Sequence, residues 1–317
     1  MDKELNSLAI IIINWNSFDV TSNCLTSIRS VSYENFKIIV VDNGSSDDSA
    51  VKLKRFFPEI ILLKNEKNIG FTGGNNQGIE YALANDFDLV MLLNNDTVVT
   101  SNFATILVET LISNVNNGAI QPKIMFNQER NIIWNSGSSF SKVWHLTKSI
   151  GSNEIDKGQY DVLKEIPWVT GCCFLTRSSI IRKVGMLDAR FFIYYEDTDW
   201  SFRIKKEGYK LLYEPGAKIF HEVGKSNDNR DSFGEGNLSP FSHYINVRNH
   251  IFILRKYAKG VFYITSLFYQ FYKFSGYTLY FLFRGRFKKL RSSIVGFYHG
   301  FTFDLGADEF DHDGYIS

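Results

Sequence analysis

Three groups of polar residues in this chain have types and spacings suited to chemistry. The first, Asn94-Asn95-Asp96, closes the apolar run Leu89-Val-Met-Leu-Leu93. A carboxylate beside amides that donate and accept suits a hard divalent cation carrying phosphates. The same residues also suit a plain turn in which Asp96 and Thr97 cap the next helix. The second is Asp42-Asn-Gly44-Ser-Ser-Asp47. Its leading carboxylate can accept bonds from a ribose or from the imino group of a pyrimidine, and the Gly-Ser-Ser turn leaves backbone amides for polar ligand atoms. An Asx turn capping a helix is the alternative. The third is Glu196-Asp197-Thr-Asp199, three carboxylates at the start of a helix, preceded by Phe191-Phe-Ile-Tyr-Tyr195. The helix dipole alone favours acids there, which accounts for Glu196 and Asp199. An acid against a bulky apolar wall can also have a raised pKa and serve as a base.

The elements that must position these groups are legible as a strand–helix alternation. Leu8-Ala-Ile-Ile-Ile-Ile-Asn14, Phe36 to Val41, Ile60 to Leu63 and Leu89 to Leu93 are apolar runs of strand length, bounded by polar residues. Helical spacing lies between them, as in Val20, Cys24, Leu25 and Ile28, with Asn16 or Ser17 as the cap. The alternation predicts a parallel α/β sheet with right-handed crossovers, whose ligands sit beyond the carboxyl ends of the strands. Asn14, Asp42 and Asn94 to Asp96 all stand at such ends. Asn65 to Gly78 holds Asn68, Gly73, Gly74 and Asn75 ahead of the helix carrying Ile79 and Leu83. Two adjacent glycines permit close approach of backbone to a ligand at a helix N-terminus. The segment is neither a phosphate-binding Gly-Lys-Ser/Thr loop nor a dinucleotide fingerprint after the first strand.

Composition sets bounds on these readings. The chain has 317 residues, 44% of them hydrophobic, and a formal charge of +1, so no global attraction to nucleic acid is expected. Three cysteines, Cys24, Cys172 and Cys173, give no disulfide framework and suit a reducing compartment. The first apolar run ends at Asn14 without a small-residue cleavage site and is read as a strand, not a signal peptide.

Ile-Ile-Ile-Asn-Trp-Asn, Val-Val-Asp42-Asn-Gly-Ser-Ser-Asp, Asn68-Ile-Gly-Phe-Thr-Gly-Gly-Asn75 and Leu-Leu-Asn-Asn-Asp96 occur in this order, each at a strand end or helix start. The series resembles the inverting glycosyltransferases of family 2, which have a GT-A fold, and most of all their bacterial rhamnosyltransferase-like branch. The resemblance covers roughly Leu8 to Arg255. It implies that the Asn14 region and Asp42 hold the base and ribose of a nucleotide sugar, with Asn68, Gly73, Gly74 and Asn75 lining the same pocket. It implies that Asn94-Asn95-Asp96 is the metal motif, for Mg²⁺ or Mn²⁺. Many members have Asp where this chain has Asn94, which leaves the metal to Asp96, the diphosphate and water. The Glu196-Asp197 pair falls on the family's catalytic hallmark, with Asp197 as general base. His221, at the end of the run Ala217 to His221, falls where related enzymes complete the metal site. Arg248, in Tyr244-Ile-Asn-Val-Arg248-Asn249, falls on an arginine of this branch that could hold a phosphate; a solvated helix face is its alternative. The implied donor is dTDP-rhamnose or, alternatively, a UDP-sugar. The implied acceptor is a glycan or a polyprenyl-diphosphate-linked surface polysaccharide. A sugar-nucleotide-binding scaffold without catalysis is the reading from a different class.

Further expectations concern the intervening chain. Asn135 to Lys164 reads as a long polar loop, with His145 as a solvated side chain. Ile166 to Leu175 reads as a strand interrupted at Gly171, and Cys172 and Cys173 as packing residues rather than nucleophiles. Tyr209 to Tyr213 and Ala217 to His221 read as two strands. Lys225 and Ser226 could contact a diphosphate, and Asn227 to Gly236 could form a lid. The expected organisation is a GT-A, Rossmann-like catalytic domain over 1–240, with a nucleotide half to residue 100 and an acceptor half beyond, followed by a helical, aromatic-rich appendage over 241–317. Val261 to Phe283 is dense in Phe, Tyr and Leu, with Lys273 near its middle and basic residues on both sides. It reads as amphipathic helix lying on a cytoplasmic leaflet, with peripheral contact through 255–291, or as a hairpin packed on the protein or an oligomer interface. The acidic stretch Asp304 to Asp313 reads as a mobile tail.

Overall fold

Leu8–Asn14 forms strand β1 in the computed structural model, which describes residues 5–222 and 238–305. Lys225, Ser226, the expected lid and all but the start of the acidic tail lie outside the described residues. β1 is buried along nearly its whole length, as an unbroken β-branched run requires. Helix α1 (Phe18–Ile28) turns Thr21, Cys24, Leu25 and Ile28 inward. Ser17 is its N-cap residue but makes no side-chain cap bond. Neither expected cap is made, because Asn16 takes a φ of 48° and spends its Oδ1 on the Ser46 amide, 2.8 Å away.

β2 (Phe36–Asp42), α2 (Ser49–Phe56), β3 (Ile61–Lys64), α3 (Gly70–Ala84) and β4 (Leu89–Leu93) complete the alternation. β3, β2, β1 and β4 lie side by side and parallel, with Asn14 paired in register with Asp42. Their polar ends therefore share one edge. The glycine segment differs from expectation. α3 starts at Gly70, so Gly73, Gly74 and Asn75 lie inside the helix and not in a loop before it. The cause is packing of α3 onto β1: a Cβ on Gly74 would meet Ile13 Cδ1 at 3.2 Å, and one on Gly78 would meet Ile11 Cγ2 at 2.5 Å. These glycines let a helix approach a strand of isoleucines.

β5 (Thr97–Val99), α4 (Phe103–Ile112), β6 (Asn117–Phe126) and β7 (Ile133–Asn135) follow. The 135–164 stretch is not a bare loop. It holds a hairpin of β8 (Ser138–Ser141) and β9 (Leu146–Ser149), then the short β10 (Lys164–Glu165). Its polar composition hid long-range ties: Lys123, fully buried, pairs with Asp156 at 2.9 Å and with Asp161. β11 (Cys173–Arg177) is shorter than expected and runs antiparallel between β4 and β6, because Gly171 and Cys172 form a turn instead of extending the strand. After α5 (Ser178–Val184) and α6 (Glu196–Lys206), the two expected strands prove to be one, β12 (Lys210–His221). Its register against β6 shifts between Glu214 and Lys218, and Pro215 and Gly216 sit in that shift. A bulge there spares a proline that a regular ladder would exclude. The sheet order is β10-β12-β6-β11-β4-β1-β2-β3, with β12 parallel to β6.

The chain divides into two units rather than at one cut near residue 240. Among the described residues, one takes in 5–139, 148–188 and 197–222, and the other 140–147, 189–196 and 238–305. The first contains the sheet and both of its cores. The second is built on α7 (Pro240–Tyr257), α8 (Val261–Phe283) and α9 (Phe287–Thr302). α7 opens with Ser239 Oγ accepting from the Ser242 amide at 3.0 Å and Pro240 in its first turn. α9 lies tight against α7: a Cβ on Gly296 would stand 2.5 Å from the Tyr244 carbonyl oxygen. His145, expected in solvent, is buried in this unit, with Nδ1 3.1 Å from Ser266 Oγ. Among the described residues, no helix is long and apolar enough to cross a membrane.

Candidate active site

At the ends of β1 and β2 the side chains form a closed set. Asn14 is fully buried, and its Nδ2 donates to Asp42 Oδ1 at 2.7 Å and to Ser49 Oγ at 3.0 Å. Its Oδ1 accepts from Thr21 Oγ1 at 2.7 Å, and Thr21 in turn accepts from Asn95 Nδ2 at 2.9 Å. Ser45 Oγ donates to Asp42 Oδ1 at 2.7 Å. Asn14 is thus not placed to touch a ligand, contrary to its reading as a nucleotide contact. Full burial spends its amide on aiming Asp42. Asn43, which the sequence did not single out, ties the neighbouring loop: its Nδ2 donates to Asn68 Oδ1 at 2.9 Å, and its Oδ1 accepts from Asn65 Nδ2 at 3.0 Å. Gly44 has a φ of +73°, and a Cβ there would meet the Lys67 carbonyl carbon at 2.4 Å, so this turn requires glycine. Asn75 is buried and donates to the Phe71 carbonyl at 2.8 Å.

The ends of β4 and β12 are different. Asp96 Oδ1 and His221 Nε2 stand 3.0 Å apart, both side chains nearly buried. The β-bulge and the pairing of His221 with Thr97 bring them together. Asn94 Oδ1 and His221 Nδ1 are buried and have no hydrogen-bond partner among the described residues. The Trp134 ring meets the His221 imidazole edge-on, with centroids 4.6 Å apart. Trp134 was missed in the sequence because nothing local links it to a residue 87 positions on. A carboxylate oxygen and an imidazole nitrogen 3.0 Å apart, with an amide oxygen nearby in sequence, fit a divalent cation. The described residues offer no group of three His, Cys, Asp or Glu ligands, so diphosphate and water would fill the remaining positions. Oxygen with nitrogen donors suits Mn²⁺ at least as well as Mg²⁺.

Asp197, in the first turn of α6, is half-buried. Its Oδ2 accepts from the Gly171 amide at 2.9 Å and its Oδ1 from the Thr198 amide at 2.6 Å. Burial raises its pKa above the usual aspartate range, and these bonds offset only part of that shift. The peptide next to Gly171 reaches the other motif, since the Cys172 carbonyl accepts from the Asn94 amide at 2.9 Å. One dipeptide therefore joins the carboxylate of Asp197 to the metal-fitting turn. Glu196 is buried at the start of α6. Asp199 is fully buried and bonded to Arg203 Nε at 2.9 Å, and Arg203 also donates to the carbonyls of Val184 and Met186, so this acid is structural. Burial holds all three thiols protonated: Cys24 is pushed up to about 12, and Cys172 and Cys173 also lie far above the ordinary range.

Arg248 corrects both of its readings. It is fully buried, and its guanidinium donates to the carbonyls of Arg190 at 2.8 Å and Phe191 at 3.1 Å. Asn249 Nδ2 donates to the carbonyls of Phe191, Ile193 and Tyr194, each at 2.8 Å. Phe192, Tyr194 and Tyr195 adopt positive φ values of 63°, 67° and 72°. Backbone so bent leaves carbonyls facing inward, and Arg248-Asn249 satisfies them. The arginine braces the 190–195 segment and is not available to a phosphate.

Residues 9–185 match the glycosyl transferase family 2 profile, more than half of the chain. The chain belongs to glycosyl transferase family 2. Relatives include the low-salt glycan biosynthesis hexosyltransferase Agl10 of Haloferax volcanii, 29% identical over 208 residues, covering 65% of this chain and 64% of that protein. The poly-beta-1,6-N-acetyl-D-glucosamine synthase of Staphylococcus aureus strain MSSA476 is 25% identical over 218 residues, covering 68% of this chain and 49% of that protein. The chain thus spans about half to two thirds of the length of these relatives. Among solved structures, GalNAc-T7 with UDP, GalNAc and Mn²⁺ matches with a TM-score of 0.62 at 16% identity, over 80% of this chain and 49% of that one, a likeness of fold. The GT-A architecture expected from the strand–helix order is the one observed.

Proposed function

We propose that this protein is an inverting, metal-dependent glycosyltransferase that moves a sugar from a nucleotide donor to a glycan or lipid-linked acceptor. The observation that carries the reading is the Gly171-Cys172 dipeptide, which holds Asp197 at one amide and the Asn94 turn at the next carbonyl. Base and leaving-group site are thereby tied at one sheet edge. Asp42, aimed by Asn14 and Ser45, takes the base or ribose, with the Asn68–Asn75 segment beside it. Asp96 and His221 would hold Mg²⁺ or Mn²⁺, with Asn94 and Asn95 next to them. A cation held there would supply positive charge to the departing diphosphate.

Asp197 accepts the proton of an acceptor hydroxyl through a carboxylate oxygen. The hydroxyl oxygen forms the new bond to the anomeric carbon as the bond from that carbon to the diphosphate oxygen breaks on the opposite face. The configuration inverts and no covalent enzyme intermediate forms. Glu196, one residue before the base, is read as part of the same catalytic pair. The buried thiols take no part.

The donor is best read as dTDP-rhamnose, on the resemblance of the motifs, with UDP-sugars as the alternative. The test is nucleotide release from a panel of both donor types, with and without Mn²⁺, supplied with a membrane extract as acceptor. Metal-dependent release of dTDP supports the rhamnosyl reading. Release of UDP keeps the mechanism and replaces the donor. Silence of folded protein that still binds donor would favour a non-catalytic scaffold.

A further inference from the structure

α8 is amphipathic in the reverse sense for a helix in water. Its inward positions include Ser266 and Gln270, both buried, and half-buried Lys273. Ser266 Oγ meets His145 Nδ1 at 3.1 Å, and Gln270 Nε2 meets the His250 ring at 3.1 Å. Phe274 stacks on Phe297 of α9 at 4.3 Å, and buried Phe281 closes this side. The outward positions are apolar and aromatic: Ile264, Phe268, Tyr272, Leu279 and Phe283 recur at helical spacing. Phe268 is 73% exposed, Tyr272 72% and Phe283 87%. A surface helix normally does the opposite, with its apolar stripe inward.

The charge of the three-helix stretch is equally lopsided. Residues 240–302 hold ten of the 35 lysines and arginines and none of the 34 acidic residues, in a chain whose formal charge is +1. Arg284, Lys288 and Arg291 cluster just past the exposed end of α8 and are themselves exposed. Aromatic side chains prefer the boundary between water and acyl chains, and each cation near an anionic leaflet raises partition roughly fivefold. Lys273, which would oppose insertion on an outward face, lies on the inward side over the Tyr277 ring. Two copies joined by this face would bring like charges together.

We infer that the outward face of α8, with the cations at the α8–α9 turn, is a docking surface for an anionic lipid leaflet, on which the helix lies flat. This deepens, and rests on, the reading of a lipid-linked acceptor, because it places the protein where such an acceptor is anchored. The experiment is sedimentation of the full chain with vesicles of phosphatidylcholine, alone or with phosphatidylglycerol. The wild type is expected to sediment with the anionic vesicles. A Phe268→Ser/Tyr272→Ser/Phe283→Ser variant is expected to lose at least about tenfold in partition, since these are the three most exposed large apolar side chains of the helix. An Arg284→Gln/Lys288→Gln/Arg291→Gln variant should lose preference for phosphatidylglycerol, and all variants should keep donor hydrolysis in solution. Sedimentation of the aromatic variant equal to wild type overturns the inference. So does a wild type that ignores vesicles and runs as a dimer which the aromatic variant dissociates. Because the readout is vesicle binding, failure here leaves the glycosyltransferase reading standing. Absence of donor turnover in a protein that sediments would do the reverse.

Discussion

The two halves of the candidate site are built to different degrees. At the ends of β1 and β2, Asn14, Thr21, Asp42, Ser45 and Ser49 satisfy one another within the fold. At the ends of β4 and β12, Asn94 Oδ1 and His221 Nδ1 are buried and find no hydrogen-bond partner among the described residues, and Asp96 Oδ1 stands 3.0 Å from His221 Nε2. The first half is finished before any ligand arrives. The second, on the reading proposed above, pairs a carboxylate with an imidazole, and the described residues add no third His, Cys, Asp or Glu to them. The difference suggests an order of events in which nucleotide recognition is preorganised, and the metal is recruited together with the diphosphate.

Substitutions can break or sharpen that contrast. The largest effect is expected at Asp197: Asp197→Asn should lower kcat by about 10³-fold while donor KM holds, since the loss is one of proton transfer. The wild-type kcat/KM should fall on the acid side with an apparent pKa above the ordinary aspartate value, because burial raises this carboxyl and the base works only when ionised. The sign for stability is the reverse. Ionisation of a group whose folded pKa is raised costs stability as pH rises through that window, so the Asn variant should melt no lower than wild type at neutral pH.

His221→Ala should weaken Mn²⁺ binding in the presence of nucleotide diphosphate by about 100-fold, read by electron paramagnetic resonance of free Mn²⁺, with little change in melting temperature. Asn14→Ala should behave oppositely. It leaves Asp42 and Thr21 short of a buried partner and should cost about 2 kcal/mol in urea unfolding, with a raised donor KM and unchanged metal affinity. Asn94→Asp should tighten Mn²⁺ about tenfold and lower stability only in the absence of metal, because it adds a carboxylate two residues from Asp96. The smallest effect is expected at Trp134: Trp134→Phe should loosen Mn²⁺ by a few-fold without altering the acid limb, since the ring only steadies the imidazole. Equal responses of Asn14 and Asn94 in stability and in metal affinity would erase the distinction between the halves.

Much of the fold was legible in the sequence because strand ends and helix starts are marked locally. The Ile-rich run to Asn14, the turn at Asp42 and the acids opening α6 each carry their own signal. His221 was legible as the end of a run, although Pro215-Gly216 made one strand look like two. What local pattern could not show was burial set by distant partners. Arg248 looks like a surface cation on α7, yet carbonyls bent inward 57 and 58 residues earlier claim its guanidinium. Gly74 and Gly78 look like a ligand loop, yet Ile13 and Ile11 of β1 set their size. His145 sits in a polar stretch, yet Ser266 of α8 receives it. Trp134 reaches the site only through the register of β7 on β6 and of β6 on β12.

The measurement that tests the account most directly is Mn²⁺ binding by the full chain, alone and with dTDP or UDP. Weak binding alone, tightened by at least about tenfold with a nucleotide diphosphate and weakened about 100-fold by His221→Ala, is the result expected of a site completed by its donor. Mn²⁺ binding that is equally tight without nucleotide, or indifferent to His221, would contradict it.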